Sequence, residues 1–332
     1  MRRVAVLCGG FGAARFLDGL RRVPGVELTC IANTGDDLEY AGVHVSPDVD
    51  TVTYALAGIF DEGRGFGIVG DTFRNAEALR RYGSGWFAVG DVDLATSIRR
   101  TGLLRAGATL SEATADLARS FRIGAAVVPM SDDPVRTVVV TDDGRLTFQE
   151  YLVARRAQPA VQAVEHDGLG TAVPAPAVLS ALAGADLVIL APSSPVASLG
   201  PILGLPGVRS ALAAARVVAV SPVVSGQAPA TPPEQSRARV RAAFLAAAGV
   251  GHTATAVATL YAGIADGFVL DHRDAGEAPA IEALGMAVVT ADTLATGAGR
   301  LSLAETVLAV GLGPHGTAAG CPEGRGPPPE AT

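Results

Sequence analysis

The chain reads as an α/β protein, a doubly wound, Rossmann-like parallel sheet with a small inserted helical subdomain and a β-hairpin. Three observations predict this. Apolar strand runs recur near Val4–Leu7, Leu28–Ala32, Ala125–Val128, Asp186–Ala191 and Val217–Ser221, as expected of strands buried on both faces. Helical patterns separate them, which gives right-handed crossovers. Each run ends on a glycine or polar turn, and such sheets bind ligands where those turns gather at the strands' carboxyl ends.

In chain order, a first strand and helix span about Arg3 to Val23, and a second strand Glu27 to Ala32. A short helix is expected over Asp50–Phe60 with Asp50 near its N-terminus. Further helical spacing follows at Asp71–Arg81, Leu94–Leu104 and Leu110–Phe121, with Thr109 and Ser111 as cap residues. These helices make residues 61–122 the inserted subdomain; residues 1–60 and 123–312 make the core. A hairpin is read from Thr137–Thr141 and Leu146–Phe148 around Asp142-Asp-Gly144, continued by Gln149 to Arg156. Two last core strands fall near Phe268–Asp271 and Met286–Thr290. Residues 313–332, rich in Gly, Pro and Ala, read as a disordered tail.

Composition narrows the partners. A net charge of −7 over 332 residues argues against nucleic acid or an anionic membrane, so an anionic ligand must be met by local Arg and backbone dipoles. No signal-peptide core or long apolar stretch is present, and Cys8, Cys30 and Cys321 lack metal spacing. These features point to a cytoplasmic protein with inert core thiols. Homodimerisation stays open.

The chemistry concentrates in the first 51 residues. Cys8-Gly-Gly10-Phe-Gly12-Ala-Ala-Arg15 forms a glycine turn that lets backbone N–H groups meet an anion at a helix start. It is neither a dinucleotide fingerprint nor an ATPase phosphate loop. Arg15 stands where the third glycine belongs, the second strand ends on Asn33 rather than an acid, and the chain has no Lys. Arg15 is therefore read as a phosphate clamp. Asn33-Thr-Gly35-Asp36-Asp37 and Ser46-Pro47-Asp48-Val49-Asp50 follow. Four carboxylates beside an anion cradle point to Mg²⁺ shared with a diphosphate; turn and cap formation is the alternative. Asp48 suits that structural role best, and Asp50 is the better metal ligand or base. Gly90-Asp91-Val92-Asp93 could be a helix cap. Met130-Ser131-Asp132-Asp133 could contact ligand hydroxyls or only shape its turn. The histidines, His44 and His166 among them, are read as structural or surface residues.

Seven motifs in register resemble the 2-phospho-L-lactate transferase family of coenzyme F-420 biosynthesis. They are Gly9-Gly10-x-Gly12-x-Ala14-Arg15, Asn33-Thr-Gly-Asp-Asp37, Ser46-Pro-Asp-x-Asp50-Thr, Gly67-Ile-x-Gly70-Asp71-Thr72, Gly90-Asp91-x-Asp93-Leu-Ala-Thr96, Met130-Ser-Asp-Asp133, and Pro192-Ser-x-Pro195 with Ser198-x-Gly200-Pro201. The resemblance covers about residues 1 to 295. It implies Mg²⁺-dependent transfer of a phospholactyl or phosphoenolpyruvyl group from a guanosine diphosphate conjugate to the deazaflavin Fo (7,8-didemethyl-8-hydroxy-5-deazariboflavin), releasing GMP. Asp36, Asp37 and Asp50 match the metal side. Asp50, Ala88, Asp91, Asp93, Ser131 and Asp132 match the Fo side. Gly9, Gly10, Gly12, Arg15, Asn33, Ser193 and Ser194 match the nucleotide and phosphate side. Asp50 and Arg15 carry catalysis. The chain departs from the family pattern at Ala88, often basic; at Ser97, usually His; at Ser194, commonly Asn; and after Ser221-Pro222, where Gly226 to Pro233 replaces a Gly-Pro-Ala helix start. The competing reading is a related regulatory protein that binds sugar nucleotides without transferring anything.

Overall fold

The computed structural model describes residues 1–226 and 232–313; the expected tail beyond 313, with Cys321, lies outside them. β1 (Arg2–Cys8) and β2 (Val26–Ala32) come first, and β3 (Leu38–Tyr40) with β4 (Val43–Val45) forms a small hairpin. β5 (Ala126–Pro129) follows, then β6 (Arg136–Thr141), β7 (Gly144–Thr147) and β8 (Val161–Asp167), and finally β9 (Leu187–Leu190), β10 (Val217–Val220), β11 (Gly267–Asp271) and β12 (Ala287–Ala291). Seven of these make one sheet in the order β12-β11-β10-β9-β1-β2-β5. Every neighbouring pair in it is parallel. The order reverses at β1, so the switch point falls at its carboxyl end, where a crevice opens.

Alternation along β1 divides the core. Val4, Val6 and Cys8 face one layer with α1 (Gly10–Leu20), α2 (Pro47–Ala57) and the helix Gly299–Leu312. Ala5 and Leu7 face the other, packed by Val178 and Leu182, Ile202 and Leu203, Val208 and Leu212, and Val257. Covering both faces is what makes the strands apolar throughout.

Residues 61–122 hold α3 (Arg74–Arg81), α4 (Asp91–Arg105) and α5 (Leu110–Ser120). Thr109 caps α5 in a reciprocal box with Glu112; Ser111 instead gives its N–H to Asp132 at 2.7 Å. Three sequence expectations need correction or extension. α2 begins at Pro47, three residues early, because Pro suits the first helical position and Ser46 precedes it. The expected hairpin is present as β6 and β7, and β8 extends it to a three-stranded antiparallel sheet, order β7-β6-β8. Its continuation is a π-helical turn over Glu150–Ala154 rather than strand. Among the described residues no helix is long and apolar enough to cross a membrane.

Candidate active site

At the switch point the chain leaves β1 through Gly9 and Gly10, and Gly10 takes φ +71°, which glycine adopts without strain. A Cβ on Gly9 would collide with the Asp48 carboxylate, and one on Gly12 with the Pro192 carbonyl. The turn is therefore packed on both sides. The Gly9 N–H donates to Ser193 Oγ at 3.1 Å, stitching the ends of β1 and β9 together. Ser194 is also committed within the chain, accepting from the Ala197 N–H.

The position of Asp48 corrects its reading as a turn former. Starting α2 at Pro47 puts Asp48 in the first helical turn, buried, with its carboxylate inside the glycine turn. It accepts from Asn33 Nδ2 at 2.9 Å, and Gly10 and Ser198 donate to it as well. Burial pushes its carboxyl up to about 6, the charge of Asp37 adding to the effect and these hydrogen bonds opposing it. The anion in the glycine turn is thus the protein's own. Asn33 holds two of the carboxylates, since its Nδ2 also reaches Asp36 Oδ1 at 3.3 Å. Asp36 accepts from Gln149 Nε2 at 3.1 Å, and its carboxyl is raised by burial and by Asp48 and Asp37.

Asp37 and Asp50 complete the acidic group. Asp37 Oδ2 accepts from Ser46 Oγ at 2.9 Å and meets His44 Nε2 at 3.1 Å. The other ring nitrogen of His44 lies 2.8 Å from Glu39. Although burial disfavours the imidazolium, Asp37 raises the His44 pKa. Asp50 Oδ1 pairs with the guanidinium of Arg100, whose side chain is 0% exposed. Asp37 Oδ1 and Asp50 Oδ2 are buried and have no hydrogen-bond partner. Two orphaned carboxylate oxygens suit a hard cation. Among the described residues no three His, Cys, Asp or Glu side chains form a metal-holding group, so the remaining ligands would be water and substrate oxygens, as Mg²⁺ prefers.

The acceptor-side residues divide. Tyr54 OH donates to Asp93 Oδ1 at 2.7 Å, and burial followed by the Asp50 charge pushes Asp93 up to about 7. Asp93 does not cap α4: Asp71 accepts the N–H groups of Val92 and Asp93 there. Asp91 reaches back to Thr72 and to the Arg74 and Asn75 amides, capping α3. Ser131 spends its hydroxyl on Val173 O at 2.6 Å and the Asp133 N–H at 3.0 Å. Asp132 and Asp37, with Thr34, His44 and Arg136, line a cavity of about 230 Å³. Ala88 lies just before α4, near Trp86, which meets Tyr40 edge-on at 5.6 Å.

Arg15 is not turned free into the glycine turn. Glu62 and Glu234 pair with it, each at 3.1 Å, and the carbonyls of Leu294 and Ala295 accept from it. Sequence reasoning passed over four basic residues here: His44, Arg100, Arg237 and Arg241. The last two were marked by a four-residue spacing in Arg237-Ala-Arg239-Val-Arg241, which places them on one helix face.

A parallel α/β sheet with buried carboxylates and a glycine turn gathered at its switch point has the layout of an α/β enzyme, and the comparisons give its class as a transferase. The chain belongs to the 2-phospho-L-lactate transferase CofD family, which it matches over residues 4–297. It is 46% identical over 294 residues to a phosphoenolpyruvate transferase of Streptomyces avermitilis, covering 86% of this chain and 90% of that protein. A 2-phospho-L-lactate transferase of Methanosarcina acetivorans is 40% identical, with 88% and 93% covered. A solved structure from the UPF0052 family of Bacillus halodurans shares the fold at TM-score 0.63 and 18% identity, covering 92% of this chain and 98% of that one.

Proposed function

We propose that this transferase moves a three-carbon phosphoacid, phosphoenolpyruvyl or phospholactyl, from a guanosine diphosphate conjugate to Fo, in coenzyme F-420 biosynthesis. A ribityl hydroxyl oxygen of Fo forms the new bond to the phosphorus that carries the acid. The bond from that phosphorus to the bridging oxygen breaks, GMP leaves with the electron pair, and the hydroxyl proton passes to solvent. Mg²⁺, held by Asp37 and Asp50, would supply charge neutralisation on the diphosphate.

The orphaned oxygens of Asp37 and Asp50 beside the switch point are the observation that carries this reading. Burial raises the Asp50 carboxyl and the Arg100 guanidinium offsets part of that rise, while Asp37 is oriented by Ser46 and His44. The higher identity to the streptomycete phosphoenolpyruvate transferase than to the methanogen lactate enzyme favours the enolpyruvyl donor.

Incubating the purified chain with Fo and either guanosine conjugate, with and without Mg²⁺, tests this by chromatography of GMP and the Fo adduct. Stoichiometric appearance of both only with Mg²⁺ supports it. Binding of nucleotide with no effect of Fo would point to the regulatory alternative. Trp86 is the only Trp, so its quenching by Fo but not by GDP would locate the deazaflavin ring beside Tyr40 and Phe87. Unchanged emission on tight Fo binding would remove the ring from that wall.

A further inference from the structure

We propose that Arg237 and Arg241, on one face of the helix Pro232–Ala247, form a paired guanidinium anchor for the diphosphate of a nucleoside diphosphate.

The helix lies against the first turn of α1. The Arg237 guanidinium sits 5.1 Å from the Phe11 ring centroid, and Glu234, one turn earlier, pairs with Arg15. The same helix packs on the segment Pro195–Leu199, which carries Ser198 to Asp48. Arg237 therefore stands beside the glycine turn, and Arg241 lies one turn further along the same helix. Four residues apart on a helix, their side chains are neighbours, a spacing suited to two adjacent phosphates.

Neither arginine has the partner its burial calls for. Among the described residues no carboxylate forms an ion pair with either. Arg237 feels Asp48 and Glu234 only at longer range, and Arg241 feels no compensating charge. Arg237 Nη1 and Arg241 Nε are closed to solvent without a hydrogen-bond partner. Burial lowers the pKa of both, for Arg241 to about 10. A desolvated guanidinium without a counter-ion is costly, and in a chain of net charge −7 two of them side by side mark a place for an anion. Neither residue is fully buried, so each keeps an approach for a ligand. The glycine turn itself is already filled by Asp48. A fork of planar donors suits phosphate oxygens better than a lone ammonium does.

Arg237 also donates to Gly65 O at 2.7 Å, so it could serve only to strap residues 61–70 down; among the described residues Arg241 has no such bond. The inference rests on the nucleotide-donor reading, and the test separates the two. GDP and inorganic pyrophosphate are titrated calorimetrically into the full-length wild type, Arg237→Met, Arg241→Met and Arg241→Lys, and each protein is melted. Each Met variant is expected to bind both ligands at least tenfold more weakly. Arg241→Lys should fall between, and Arg241→Met should melt at or above the wild-type temperature. Pyrophosphate binding that needs both arginines, without binding of GDP, keeps the anchor and removes the guanosine donor. GDP binding within twofold of wild type in Arg241→Met overturns the anchor and leaves the donor reading standing. Failure of the wild type to bind either ligand overturns the anchor as well. Should Arg237→Met fail to fold, the two Arg241 variants decide.

Discussion

The two sides of the switch point are built from opposite surpluses. Around α2, Asp36, Asp37, Asp48 and Asp50 gather, and among the described residues only Asp50 is paired with a guanidinium, that of Arg100, with His44 beside Asp37. Arg237 stands beside α1 with Arg241 one turn on, and among the described residues neither is paired with a carboxylate, while Arg15 has already taken Glu62 and Glu234. A folded chain that desolvates both surpluses without joining them loses stability on each side. Together they suit a ligand of mixed charge, a metal ion bridged to a diphosphate. On the proposed reading, the charges are placed for the complex rather than for the empty fold.

Several variants break or sharpen that contrast. The largest effect is expected from Arg100→Met, which leaves Asp50 buried and unpaired. It should lose about 3–5 kcal/mol in urea denaturation. Replacing both partners with Leu should recover most of that stability while leaving no turnover; a double variant as unstable as the single one would show that Arg100 works through packing instead.

Asp37→Asn keeps a side chain able to bond Ser46 but removes the charge. Turnover should drop by about 100-fold or more, more steeply at limiting Mg²⁺. Wild-type activity under that condition would move the metal elsewhere.

The next effect is a pH dependence. Asp48 and Asp93 have folded values near 6 and 7, above the usual 3.8, and His44 is raised above 6.5. Groups raised on folding give stability that is full below their unfolded values and lost as pH rises through the folded ones. The ligand-free protein should therefore melt higher at pH 5 than at pH 8. Asp93→Asn, which can still accept from Tyr54, should flatten that slope. An unchanged slope would show that Asp93 does not titrate in this window. The smallest effect belongs to Thr109→Ala, away from both surpluses. It removes the capping box of α5 at a cost of about 1 kcal/mol, with turnover per folded molecule unchanged.

The parallel sheet was legible because its strands carry their burial in composition. Leu187–Leu190 and Val217–Val220 are buried at every position. β8 was not legible, since Val161–Asp167 is only partly buried and mixes charge with apolar residues. β3 and β4 are three residues each, too short for a period to register. The acidic turns were legible as turns, but their roles depended on where α2 begins. Three residues of error hid that Asp48 sits in the first helical turn with its carboxylate in the glycine turn, while Asp50 keeps the role proposed for it. The partnership of Asp50 with Arg100 spans 50 residues, and no local spacing announces it. Arg237 and Arg241 resemble a solvated helix face until the rim is packed around them.

The stitch between Gly9 and Ser193 joins residues 184 apart, and β1 lies between β2 and β9. During synthesis, at about 5–20 residues per second, the first strand leaves the ribosome roughly 10–40 s before its second neighbour. Through that interval β1 can pair with β2 on one side only, its other edge an open row of amides and carbonyls along an apolar ribbon. The inner position β1 holds in the finished sheet leaves it with an open edge, an aggregation hazard, in the nascent chain. Binding by a chaperone should be strongest on chains arrested before residue 187, and should fall sharply once β9 has emerged.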